Sequence, residues 1–215
     1  MGSLVDRFLE VLAVILLGVA TVATAWCGLQ SALWSGEQDR IAVIAAGEHA
    51  DATRLFGLAT QAVSYDAMTV AEYAQAVNSG NQQLRTFYRS SLVRKEFLKY
   101  LDSWEQEVQA GQTPTNLLED ENYLADVLGP YRKALAQAEA DDRDAESAGR
   151  IGDLYMLSTV VLAVALFFAG VTGTFRSPTL RLVMLAICVL TIAVSLGRLA
   201  DLPVADATWA LLGSH

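Results

Sequence analysis

VLAVILLGVATVATAWCGLQSAL, residues 11–33, is the stretch on which the fold turns. No charge occurs from residue 11 to residue 36. At ~1.5 Å per residue these 23 residues make about 34 Å of helix, more than the ~30 Å hydrocarbon layer of a bilayer. A transmembrane helix over 11–33 is therefore expected, after a short N-terminus, 1–10. The triplet Ala23-Thr24-Ala25 has the look of a signal-peptidase site. The preceding residues are not basic, however, with Arg7 set against Asp6 and Glu10, and the apolar run continues past Ala25. An uncleaved span is the expectation.

Two further apolar runs lie near the other end. Residues 154–175 (LYMLSTVVLAVALFFAGVTGTF) carry no charge over 22 positions, and residues 182–197 (LVMLAICVLTIAVSLG) over 16. Arg181 and Arg198 flank the third run and can snorkel toward headgroups. Spans are expected at 153–175 and 182–198, joined by the loop 176–181 and followed by a tail, 199–215. That loop, Arg176 to Arg181, holds two arginines and no acid. The rule that short basic loops stay inside places it in the cytoplasm. The N-terminus is then also cytoplasmic, and residues 34–152 and the tail extracytoplasmic.

Composition agrees with a membrane protein. Of 215 residues 53% are hydrophobic and only 18% charged, with a mean hydropathy of +0.33; soluble domains carry about 25% charged residues. The net charge of −9, without a basic cluster, excludes a nucleic-acid binder. Cys27 and Cys188 sit in separate apolar runs and read as small apolar residues. His49 is the one internal histidine, so no histidine-rich metal centre is available. Nucleophile, phosphate-loop and metalloprotease motifs are absent. Neither a catalytic group, nor a cofactor, nor a bound metal is expected.

The insert between the first two spans reads as helical. Phe56, Ala59, Val63, Ala67, Val70, Ala74 and Val77 follow at spacings of three and four. Asn78-Ser79-Gly80-Asn81 should end that helix. A second helix is expected over Gln82–Val108, with Val93, Phe97, Leu101, Trp104 and Val108 on one face. A loop follows at Ala110–Thr115, then a short helix from Asn116 to Leu128, broken at Gly129-Pro130. An alanine-rich helix from Tyr131 to Gly149 should run into the second span. The overall expectation is all-α: three transmembrane helices and a long helical hairpin or bundle with coiled-coil-like seams.

Several groups are candidates for function. Gly18, Thr21, Ala25, Gly28 and Ala32 form a small-residue face on the first span. Ala165, Ala169 and Gly173 form another on the second. Such faces let helices approach closely in lipid, either within the chain or between copies. Gln30, Ser31, Trp34, Glu37 and Gln38 cluster near the end of the first span, and Asp153 opens the second. They read as interfacial anchoring, or as a pore mouth or partner contact. In a ring of subunits Glu37 and Asp153 would make acidic rings favouring cations. No ionisable residue lies deep inside a span, which argues against a proton-coupled transporter. The clusters Glu119–Glu121 and Asp141–Asp144 do not match a calcium loop. Arg85, Arg89, Arg94, Lys95 and Lys99 read as a charged face facing Glu96, Asp102 or the acidic third helix, or as an anionic contact. Asp66 interrupts the first long helix.

The order of span, helical insert and span resembles bacterial chemoreceptor ligand-binding bundles. Here a third span follows a six-residue loop in place of a signalling domain, so this chain alone is not a chemoreceptor. Ala25-Trp26-Cys27, Gln30-Ser31 and Trp34-Ser-Gly-Glu-Gln38, then Gln61-Ala-Val-Ser-Tyr-Asp66 and Tyr73-Ala-Gln-Ala76, resemble an uncharacterised group of bacterial membrane proteins with a domain of unknown function. That resemblance implies the bacterial inner membrane and brings no activity. The expectation is a non-enzymatic, homo-oligomeric membrane scaffold or accessory subunit, with the lipid bilayer and a membrane or extracytoplasmic protein as partners. The alternatives are a homo-oligomeric cation channel lined by the first span and an extracytoplasmic sensor.

Overall fold

A computed structural model describes residues 2–112, 116–175 and 177–205. Among them the chain is helical, without a strand. Helix α1 runs Gly2–Asn78, α2 Gln82–Phe87, α3 Leu98–Gln109, α4 Glu121–Val171 and α5 Pro178–Ala200. Three helices, α1, α4 and α5, are long and apolar enough to cross a membrane. Helix α5 exceeds the apolar run by several residues at each end, so its 23 residues suffice for a crossing. Met1, Thr113–Thr115 of the expected loop, Arg176 and residues 206–215 of the expected tail lie outside the described residues.

The chain divides into two compact units. One comprises residues 1–43 and 142–215, here termed the apolar unit. The other, residues 44–141, is the polar unit. In the apolar unit the buried positions of α4 recur every three or four residues: Tyr155, Ser158, Leu162, Ala165, Ala169 and Thr172. Leu185, Cys188, Ile192 and Ser195 do the same on α5, and on α1 Ala20, Cys27 and Gln30 follow at spacings of seven and three, along one face. Each helix thus hides one narrow stripe and leaves the rest of its apolar surface open, as lipid contact requires. Gly152 marks a close approach: a Cβ there would lie 3.5 Å from the Ser31 carbonyl and the Trp34 side chain.

In the polar unit α1 buries Ala45, Ala52, Ala59, Asp66 and Tyr73, at seven-residue intervals. The helix ends where expected. Gly80 adopts φ +68°, and Gly80 and Asn81 donate their N–H groups to the carbonyls of Val77 and Ala76. This is the glycine cap that a left-handed residue allows. The same pair of bonds closes α3, from Gly111 (φ +68°) to Val108 and from Gln112 to Glu107.

Two expectations about breaks are corrected. A single helix over Gln82–Val108 does not form. After α2 the chain makes a π-helical turn at Tyr88–Leu92, becomes extended at Val93 and re-enters a helix only at Leu98. The bend directs Val93 and Phe97 into the core, where Tyr73, Tyr100, Leu101 and Tyr123 meet them. No glycine or proline signals it. Conversely, Gly129-Pro130 does not break a helix, for α4 runs through it. Proline removes one helical hydrogen bond, and the flanking contacts outweigh that loss. Tyr123 is in the core on one side, and Tyr131 on the other packs its ring 5.1 Å from that of Phe56. Helix α4 begins at Glu121, not Asn116, because the Asp120 carboxylate accepts from the N–H groups of Asn122 and Tyr123.

Candidate functional site

The residues expected at the edge of the first span fall in different surroundings. Gln30 is 1% exposed. Its amide makes a two-point contact with the backbone of Ala205: Nε2 donates to the carbonyl at 3.3 Å, and Oε1 accepts the N–H at 2.8 Å. Trp34 Nε1 and the Tyr155 hydroxyl both donate to the Pro203 carbonyl, each at 3.2 Å. Residues 203–205, part of the expected tail, are therefore strapped to α1 and α4. Non-helical backbone near a bilayer needs such partners, because lipid supplies none. The glutamine in an apolar run is thus engaged within the chain.

Glu37 is tied to Arg40 through two hydrogen bonds of 2.8 and 2.6 Å. That contact holds its carboxyl below the usual carboxylate range. Gln38 lies against α4, where a Cβ on Gly149 would come within 2.7 Å of its amide. Ser31 is half-buried and Asp153 exposed. The structure does not gather these six residues into one cluster.

The small-residue faces divide. Ala165 and Ala169 are buried in the core of the apolar unit. Gly18, Thr21, Ala25, Gly28, Ala32 and Gly173 are all exposed, and added Cβ atoms on Gly18, Gly28 and Gly173 would meet nothing within 4 Å. Within the chain, α1 packs with Ala20, Cys27 and Gln30, a neighbouring stripe that places a glutamine among small residues.

The densest polar arrangement sits in the polar unit, and the sequence left it unassigned. Asp66 is 1% exposed. Arg94 closes on it with Nε–Oδ1 at 2.9 Å and Nη2–Oδ2 at 2.5 Å, and the Tyr123 hydroxyl donates to Oδ2 at 2.8 Å. One carboxylate thereby joins α1, the bend after the π turn and α4. The paired geometry raises the Arg94 pKa further, and burial, then the Asp66 carboxylate, pushes the Tyr123 hydroxyl well up. A buried charge is tolerated only when matched in this way. Asp66 occupies a seven-residue core position among alanines, which was the available signal.

Around this centre the basic cluster is largely paired. Arg85 donates to the Tyr73 hydroxyl at 3.0 Å and to Glu105 at 2.9 Å. Arg89 reaches Asp102 and Glu105, and Lys99 pairs with Asp126, which also accepts from Tyr100 at 2.6 Å. The charged face thus meets α3 and α4 rather than standing free, with Lys95 excepted. Among the described residues no group of three or more His, Cys, Asp or Glu side chains is placed to hold a metal. Comparison of the chain with protein families, curated proteins and solved structures finds no match. The resemblance to a bacterial membrane-protein group rests on the quoted residues alone.

Proposed function

We propose that this protein is a non-enzymatic membrane scaffold that self-associates through α1 and offers its helical polar unit to partners. One observation carries this reading: the face Gly18, Thr21, Ala25, Gly28 and Ala32 is bare. In lipid, apolar surface alone drives no helix association, whereas small side chains at spacings of three and four let two backbones come close. The three apolar helices of one copy leave that face uncovered, so a second copy is the natural occupant. The expected loop 176–181 is shortened, because α5 already begins at Pro178 and takes in Arg181. The two arginines of that short, acid-free connection still favour an orientation with residues 34–152 outside, and the bacterial plasma membrane rests on the resemblance alone. The channel alternative draws no support from its mouth residues, because Glu37 is held by Arg40 and Gln30 by Ala205.

Native mass spectrometry of the full chain released from nanodiscs tests the reading. A dimer or higher oligomer is expected, and the double substitution Ala25→Leu, Gly28→Leu should convert it to monomer. A monomeric wild-type protein would sink the proposal.

A further inference from the structure

Pro130 lies inside α4 and has no N–H, so the backbone carbonyl of Asp126 lacks the donor a regular helix would supply four residues on. Both residues line a groove of about 550 Å³ in the polar unit. Its floor is apolar, built from Leu55, Leu58 and Ala62 of α1 and Val127 of α4. The bend after the π turn brings charge to its rim. Arg94 is held by Asp66 and Lys99 by Asp126. Lys95 and Glu96, both exposed, also line it and make no ion pair or hydrogen bond among the described residues. An ammonium without an ion pair and a carboxylate whose charge is felt by Arg94 but which makes no close ion pair therefore flank an apolar surface.

The chemical complement of that arrangement is a small zwitterion with an apolar body. A pure anion would leave Glu96 opposed to it, and a pure cation would leave Lys95 so. The volume falls within the range of small-molecule sites. We propose that this groove binds a free amino acid with an aliphatic or aromatic side chain. Its carboxylate meets Lys95, its ammonium meets Glu96, and its side chain covers Leu55, Leu58 and Val127. Charge-assisted contacts of this kind are the strong ones, and the apolar body adds burial. This proposal does not depend on self-association through α1.

The test uses the full chain in nanodiscs and fluorine NMR of two probes, 4-fluorophenylalanine and 5,5,5-trifluoroleucine. At least one should show saturable broadening that empty nanodiscs lack. Two singly charged analogues, 3-(4-fluorophenyl)propionate and 2-(4-fluorophenyl)ethylamine, should bind about tenfold more weakly than the amino acid, the cost of losing one charged contact. Lys95→Gln, an exposed substitution, should weaken binding by a similar factor, and Ala62→Trp should abolish it by filling the floor. Circular dichroism checks that both variants remain helical. Absence of saturable binding with both probes would overturn the proposal. So would equal binding of the singly charged analogues, or binding that survives both substitutions.

Discussion

Arg94 sets two guanidinium nitrogens against the two carboxylate oxygens of Asp66, 28 residues earlier in the chain, with Asp66 almost wholly buried. The contact joins a long helix to an irregular bend. Removing one partner leaves the other charge uncompensated in a low-dielectric site, which costs far more than the pair itself contributes. Arg94→Ala should therefore destabilise the polar unit by about 3 kcal/mol. Hydrogen exchange of the full chain in nanodiscs reads this as lost protection over residues 88–109. Unchanged protection there would show that the bend is held by Val93 and Phe97 alone.

Tyr123 provides a pH signature for the same centre. Burial and the Asp66 carboxylate hold its pKa above the ordinary value of 10.0. In the unfolded chain the hydroxyl ionises first, so the native state binds its proton more tightly. The stability this contributes is complete below pH 10 and falls as pH rises toward the native value. Thermal melts from pH 8 to 11.5 should decline in the wild type and less steeply in Tyr123→Phe. At pH 8 the variant should lose about 1 kcal/mol, the worth of one hydrogen bond. Parallel declines in the two proteins would assign the alkaline sensitivity to other tyrosines, such as Tyr100, also raised by burial.

Gln30 holds the strap at 203–205 by both ends of its amide. Gln30→Leu leaves the Ala205 backbone unpaired near lipid, a loss of about 1–3 kcal/mol. The measurable consequence is exposure. In a chain carrying Ala205→Cys, with Cys27 and Cys188 replaced by alanine, a polar maleimide should react at least several-fold faster once Gln30 is leucine. Equal rates would mean that Trp34 and Tyr155 suffice to keep the strap seated.

The bare face of α1 predicts a pattern of crosslinking. In the same cysteine-free background, Ala25→Cys should form a disulfide between two copies under mild oxidation, whereas Ala20→Cys, fully buried in its own copy, should not. Strong crosslinking at Ala20 with none at Ala25 would place the contact on the wrong face.

Glycine turns, caps and apolar runs were readable because each is a local effect. The end of α1 follows from Gly80 taking a left-handed conformation, and that preference belongs to glycine wherever it stands. The length of the first span follows from an absence of charge. The break between α2 and α3 was not readable, because Val93–Phe97 carry no breaker; the bend exists to satisfy Asp66 and to bury Phe97. Pro130 misled in the opposite sense, for a proline's penalty is a few kcal/mol and neighbouring contacts can exceed it. The small-residue face of α1 was visible, but not whether this chain covers it.

By itself, then, the sequence determined an all-helical protein with three apolar segments fit to cross a membrane, since hydropathy, helix length and residue propensity act over neighbouring positions. The tertiary structure alone decided which stripe of α1 is buried, that Gln30 reads the backbone of Ala205, and that Asp66 is matched by Arg94 and Tyr123. These pairings join residues 28 to 175 positions apart. A buried polar group takes whichever complementary partner the packing delivers, and no spacing along the chain encodes that choice.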